Sequence, residues 1–196
     1  MRKHQGIKPS RDLGRIDKRQ TRSIYDELHS SYEKLYGEEQ KEKHNLVLEE
    51  IRIKRSHTVL DVGCGNGTLA HRLSRKSRLV VAIDLSSNMT RVAKRLCRQD
   101  SRCEVILGDA EHLPFRKNSF HILLAITVIL DPPSARRTIH EVRRILSGKG
   151  IAVLTLIAKA SQVSRTQFLI RQGFHGWKLR KIRVGSDLGF FAERRP

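Results

Sequence analysis

Cysteine, tryptophan and acidic side chains are all scarce in this chain of 196 residues. The three cysteines, Cys64, Cys97 and Cys103, are odd in number and wrongly spaced for a disulfide framework or a zinc site. No metal is expected, and the chain reads as cytoplasmic. No run approaches the ~18 consecutive apolar residues of a membrane span. The first residues, Met1-Arg2-Lys3-His4-Gln5, lead into polar sequence rather than a signal core, so a soluble protein is expected. The nine histidines lack ligand spacing and read as surface or packing residues. There is no internal repeat or low-complexity tract, and the length suits one domain with a single core.

The shortage of acids matters most. Against 39 Lys and Arg stand 20 Asp and Glu, a formal charge of +19 on 22.5 kDa. Heat-adapted ion-pair networks would raise both signs together, and here only one is raised. Residues 2–22 hold eight basic residues against Asp12 and Asp17, and the stretch from Arg165 onward is similarly lopsided. Residues 1–21, with Gly6, Pro9 and Gly14 among the charges and no apolar period, read as a basic flexible arm ahead of a domain over 22–196. A surplus of this kind attracts polyanions without sequence choice, which makes RNA the leading partner and DNA the next. No segment joins basic residues to a strong apolar face, which disfavours a membrane surface.

What the chain does have is a glycine turn after an apolar run. Val59-Leu60-Asp61-Val62 opens into Gly63-Cys64-Gly65-Asn66-Gly67, followed by a helical pattern. A strand, a glycine turn and a helix in that order let backbone approach a nucleotide-like ligand. The dinucleotide fingerprint needs a third glycine where this chain has Thr68, and Asp61 would repel a pyrophosphate. An acid beside a tight turn suits a ligand with a cationic amino acid end and no phosphate, of which S-adenosylmethionine (SAM) is the common case. The next apolar strand ends at Asp84, 23 residues beyond Asp61, one strand-helix-strand unit away. A carboxylate at that strand tip can accept hydrogen bonds from two ribose hydroxyls, with Leu85 beside it to pack on adenine.

The segment Val59–Gly67 resembles the first motif of the Rossmann-like (class I) SAM-dependent methyltransferases, in their small single-domain form, and the likeness extends over about residues 23–192. The resemblance implies a seven-stranded, mostly parallel α/β sheet with helices on both faces and an antiparallel C-terminal edge. It also implies that Asp109, in Gly108-Asp109-Ala110 after the third strand, meets the adenine amino group. A cap helix before the first strand would supply Tyr25, Tyr32 or Tyr36 to close the SAM pocket, although aromatics at helical spacing are more often packing residues. The implied cofactor-binding set is Asp61, Gly63, Cys64, Gly65, Asn66, Gly67, Asp84, Leu85, Asp109, Ala110 and Tyr25.

Along the chain, one helix is expected from Ser23 to Gly37 and a second through Leu46, Val47 and Ile51. Ser86-Ser87-Asn88 offer caps for the helix containing Met89–Leu96. The continuously apolar run Phe120–Ile126 reads as a central parallel strand, and two final strands near 177–184 and 188–192 as an antiparallel pair. Asp131-Pro132-Pro133 is followed by Ser134 rather than an aromatic, and lies too far past the fourth strand for a nitrogen-methylation tetrapeptide. It reads as a loop ahead of a helix, with Ser134 as a cap. No general base stands out, and methyl transfer from a sulfonium needs mainly positioning. Charge points to ribosomal or transfer RNA as acceptor. A ribosomal or translation protein, a small molecule, or a SAM-binding RNA-associated subunit without turnover are the alternatives. The short chain also suggests dependence on a small zinc-binding activator subunit, a habit of methyltransferases it resembles.

Overall fold

A computed structural model describes residues 18–128 and 132–194. Most of the predicted basic arm, and Asp131, lie outside the described residues; Lys18–Thr21 form the start of a helix. The elements run α1 (Lys18–Leu28), α2 (Tyr32–Glu50), β1 (Thr58–Val62), α3 (Thr68–Ser74), β2 (Leu79–Asp84), α4 (Ser87–Cys97) and β3 (Cys103–Leu107). Then follow β4 (Phe120–Ala125), α5 (Pro132–Ile145), β5 (Leu146–Ile157), α6 (Val163–Gly173), β6 (Lys178–Val184) and β7 (Asp187–Glu193). The strands form one seven-stranded sheet in the order β3-β2-β1-β4-β5-β7-β6. Pairing is parallel up to β5, and β7 runs antiparallel between β5 and β6, as expected.

β1 is buried at every position and β4 at all but His121, which is why both read as near-continuous apolar runs. Alternate residues face opposite layers. Leu60 and Leu123 pack with α5 and α6 through Ile139, Val142 and Ile170, whereas Val59 and Leu124 pack with α2, α3 and α4 through Val47, Leu73 and Ala93. With helices on both faces, the strand ends carry the loops, and the reversal in strand order falls between β1 and β4.

Three details depart from the expected elements. The first helical break falls at residues 29–31, where the Ser31 N–H donates to the Leu28 carbonyl at 2.9 Å, and α2 continues through Gly37. A mid-helix glycine costs about 1 kcal/mol, which tertiary packing overrides. α5 begins at Pro132, so Ser134 lies in its first turn rather than at its cap. Cys97 and Cys103 are joined as a disulfide across the turn between α4 and β3, with Cα atoms 5.5 Å apart, leaving Cys64 as the buried free thiol. Among the described residues, no helix is long and apolar enough to cross a membrane.

Candidate functional site

The site grows from the carboxyl ends of β1, β2 and β4. The N–H groups of Gly63 and Cys64 both donate to the Ile83 carbonyl, at 2.7 and 3.1 Å, which joins the glycine turn to the end of β2. Gly63 has φ 68°, and a Cβ there would overlap the Val128 side chain, so only glycine fits. Asn66 lies just ahead of α3, its Oδ1 accepting from the Thr68 N–H at 3.2 Å and from the Thr68 hydroxyl at 2.8 Å. Gly67 borders neither of the two cavities that meet over this turn; its φ of 84° and the nearness of Ala93 show that it lets α3 pack against α4.

Two acids sit at the centre. Asp84 Oδ2 accepts from the Gly65 N–H at 2.8 Å and Oδ1 from the Ser86 N–H at 2.9 Å, fixing the carboxylate while leaving further lone pairs on each oxygen. Burial raises its pKa above the usual carboxylate value, against these hydrogen bonds. Asp61 is 3% exposed and its Oδ2 has no partner. Burial, with the nearby Asp84 charge, pushes its pKa up to about 8, although the Ala70 N–H acts the other way. An unpartnered carboxylate oxygen buried beside a cavity is a place for a cation.

Two cavities meet over Gly63 and Gly65. One, of about 370 Å³, is lined by Asp61, Cys64, Asn66, His44 and Arg72 among others. The second, of about 150 Å³, is lined by Asp84, Leu85, Asp109, Ala110 and Tyr25, with Ile83 and Val128. Apart from Gly67, every residue of the predicted set therefore borders one cavity or both. Burial of Cys64 raises its thiol pKa well above the ordinary value, so it stays protonated.

Helix α1 holds the rim. Asp26 Oδ1 accepts from the Ser86 hydroxyl at 2.5 Å and the Asn88 N–H at 3.1 Å, while Ser86 accepts from the Met89 N–H at 3.1 Å and so caps α4 as expected. Lys18 Nζ lies 2.5 Å from Asp109 and 2.8 Å from Glu111. Tyr25 and Tyr32 stand with ring centroids 6.2 Å apart, and Tyr32 borders both cavities. Burial is the main reason that both phenols have raised pKa values, Tyr25 to about 12.

Sequence reasoning offered Tyr32 as one of three aromatics that could close the pocket but kept only Tyr25 in the cofactor set, and it assigned no site role to Gln40, Ile126, Thr127 or Val128. Gln40 sits two helical turns after Tyr32 on α2, a periodicity that could have signalled it. Nothing in the sequence marks Ile126–Val128, which follow β4 as an apolar continuation.

A family described as a methyltransferase domain matches residues 59–150. Residues 59–150 of this chain are a class I SAM-dependent methyltransferase domain. The methyltransferase chain is 32% identical over 139 residues to an uncharacterized protein of Methanocaldococcus jannaschii, covering 69% of this chain and 51% of that one. It is 27% identical over 143 residues to the demethylmenaquinone methyltransferase of Staphylococcus saprophyticus, covering 69% and 61%. The chain thus spans between half and two thirds of these relatives' length. In fold it is similar to a chain of the complex between the Haloferax volcanii Trm112 methyltransferase activator and a methyltransferase, with TM-score 0.75, 14% identity, and 88% and 98% of the two chains covered.

Proposed function

We propose that this methyltransferase moves the methyl group of SAM to a small-molecule acceptor. The observation that carries the reading is Asp61, a buried carboxylate with an unpartnered oxygen beside the glycines where the two cavities meet. The residues fit SAM. Its ammonium would satisfy Asp61, its ribose hydroxyls would donate to the remaining lone pairs of Asp84, and its adenine would lie among Ile83, Leu85 and Ala110 near Asp109. Cys64, Gly65 and Asn66 shape the turn, Gly63 gives room for backbone approach, and Tyr25 and Tyr32 wall the rim. When bound, SAM supplies an electrophilic methyl carbon on a sulfonium, so the chain's task is to orient the acceptor and exclude water.

Tyr25 and Tyr32 keep their phenolic protons at neutral pH and serve as walls and donors. His44 borders the larger cavity, with its pKa lowered to about 4, mainly by burial and then by Arg72 and Lys43. Its imidazole is therefore neutral at pH 7 and adds no charge to that cavity wall.

The acceptor class follows from the relatives and the rim. The Staphylococcus saprophyticus relative is a demethylmenaquinone methyltransferase, and the RNA acceptor expected from charge finds no support among the relatives. Cavities walled by two tyrosines and α1 suit a compact acceptor better than a polymer strand. The Trm112 complex of the Haloferax volcanii neighbour supports extending an activator subunit to this chain, to be checked by co-expression and SAM binding.

Labelled methyl transfer from SAM, followed through the solvent-extractable, RNA and protein fractions of a cell extract, tests the reading. Label in the extractable fraction that disappears with Asp84→Ala is the expected result. Label confined to RNA or protein would overturn the small-molecule acceptor.

A further inference from the structure

A buried polar cluster lies behind the site. Lys43 of α2, 2% exposed, places Nζ 3.0 Å from Asp187 Oδ1 and 2.9 Å from Glu39 Oε1. Asp187, fully buried at the start of β7, accepts through Oδ2 from the Thr127 hydroxyl at 2.7 Å and the Thr155 hydroxyl at 3.0 Å. The Thr127 N–H donates to the Thr155 hydroxyl at 2.8 Å. The Ser186 hydroxyl donates to Glu39 at 2.7 Å, so the β6–β7 turn is tied to α2 at two adjacent residues.

Thr127 is the unusual member. It has φ 59°, a left-handed conformation that a β-branched residue rarely adopts. Both its N–H and its hydroxyl are bound to the cluster, which accounts for its persistence. Thr127 and Val128 border the smaller cavity, and Val128 occupies the space left by the missing Cβ of Gly63. The cluster's shape thus reaches the glycine turn through two adjacent residues.

We infer that Asp187 is a positioning residue of the site: by holding Thr127 in its left-handed turn it sets Val128 against Gly63 and so fixes the cavity wall after β4. Asp187 stands 60 residues from Thr127 in sequence, and Lys43 balances its charge while fixing α2 one turn beyond Gln40. The inference rests on the SAM reading for its consequence in binding, but the placement of Thr127 stands without it.

The test is a double-mutant cycle of Asp187→Asn and Thr127→Val, with Thr127→Ser as the conservative variant. The readouts are S-adenosylhomocysteine binding by calorimetry and hydrogen exchange at the Thr127 amide. Asp187→Asn and Thr127→Val are each expected to weaken binding by about tenfold, and the double variant by little more than either alone, because both break one linkage. Thr127→Ser keeps the hydroxyl and is expected to bind within about threefold of wild type, a rescue that loss of global stability would not give. The Thr127 amide should exchange faster in Asp187→Asn while β1 amides are unchanged. Additive binding losses, or an equally protected Thr127 amide, would overturn the inference. If the wild type binds no S-adenosylhomocysteine, the SAM reading fails, and the exchange comparison alone decides whether Asp187 holds Thr127.

Discussion

The protonation of Asp61 gives the most direct test of the site. With its pKa pushed up to about 8, this carboxyl is mostly protonated at pH 7 in the ligand-free protein. A ligand ammonium binds to the ionised form, so binding must drive off the proton. Each pH unit below the pKa costs about 1.4 kcal/mol, a tenfold loss of affinity. Between pH 6.0 and 7.5 the affinity of the wild type for S-adenosylhomocysteine should therefore rise roughly 25-fold, with close to one proton released at pH 6 and about three quarters of one at pH 7.5. Calorimetry in buffers of different ionisation enthalpy reads both quantities. Asp61→Asn cannot ionise, and its affinity should stay flat over that range. His44, with its pKa near 4, does not titrate in this window. A slope surviving in Asp61→Asn would belong to Asp84, whose pKa is also raised. A flat wild-type profile with no proton release would refute the reasoning, because Asp61 would then be ionised before the ligand arrives.

Other predictions follow from the same packing. A carboxyl whose folded pKa is raised stabilises fully below its unfolded value near 3.8 and loses that contribution as pH rises through about 8, so Asp61→Asn should raise the melting temperature of the ligand-free protein above pH 8. Gly63→Ala combines positive φ with overlap of Val128 and should abolish cofactor binding and lower the melting temperature; unchanged binding would show that the turn can relax. Asp26→Ala removes the acceptor for Ser86 and Asn88, and hydrogen exchange should rise across α1 with little change in β1. The Asp26 pKa is lowered by its partners despite desolvation, so this anchorage is present above the unfolded carboxyl value and weakens as pH falls through the lower folded one.

The strand ends were legible because their chemistry is local. Asp61, Asp84 and Asp109 each close an apolar run, and a parallel sheet brings such ends to one side. The turn Gly63–Gly67 announced itself because left-handed backbone leaves glycine as the ready choice. What stayed hidden was set by contacts distant in sequence. Lys43 looks like any residue of a charged helix, and only Asp187, meeting it from β7, explains its burial. Thr127 looks like one more residue of an apolar strand, and its reversal depends on Thr155 and Asp187. The Cys97–Cys103 disulfide was missed because counting cysteines says nothing about how closely α4 and β3 return to one another.

The surplus of positive charge drew attention first to polyanions, yet the sheet gives part of it another use. β6 is an outer strand of the sheet, and along it Lys178, Arg180, Lys181 and Arg183 are exposed. An unpaired strand edge invites another copy to extend the sheet, and a row of like charges opposes that pairing. Two molecules meeting by this margin would bring four cations against four, with salt bridges from Glu193 to Lys178 and Glu50 to Arg180 as partial relief. Screening by salt would weaken that repulsion, so self-association along this margin is resisted most strongly in dilute buffer.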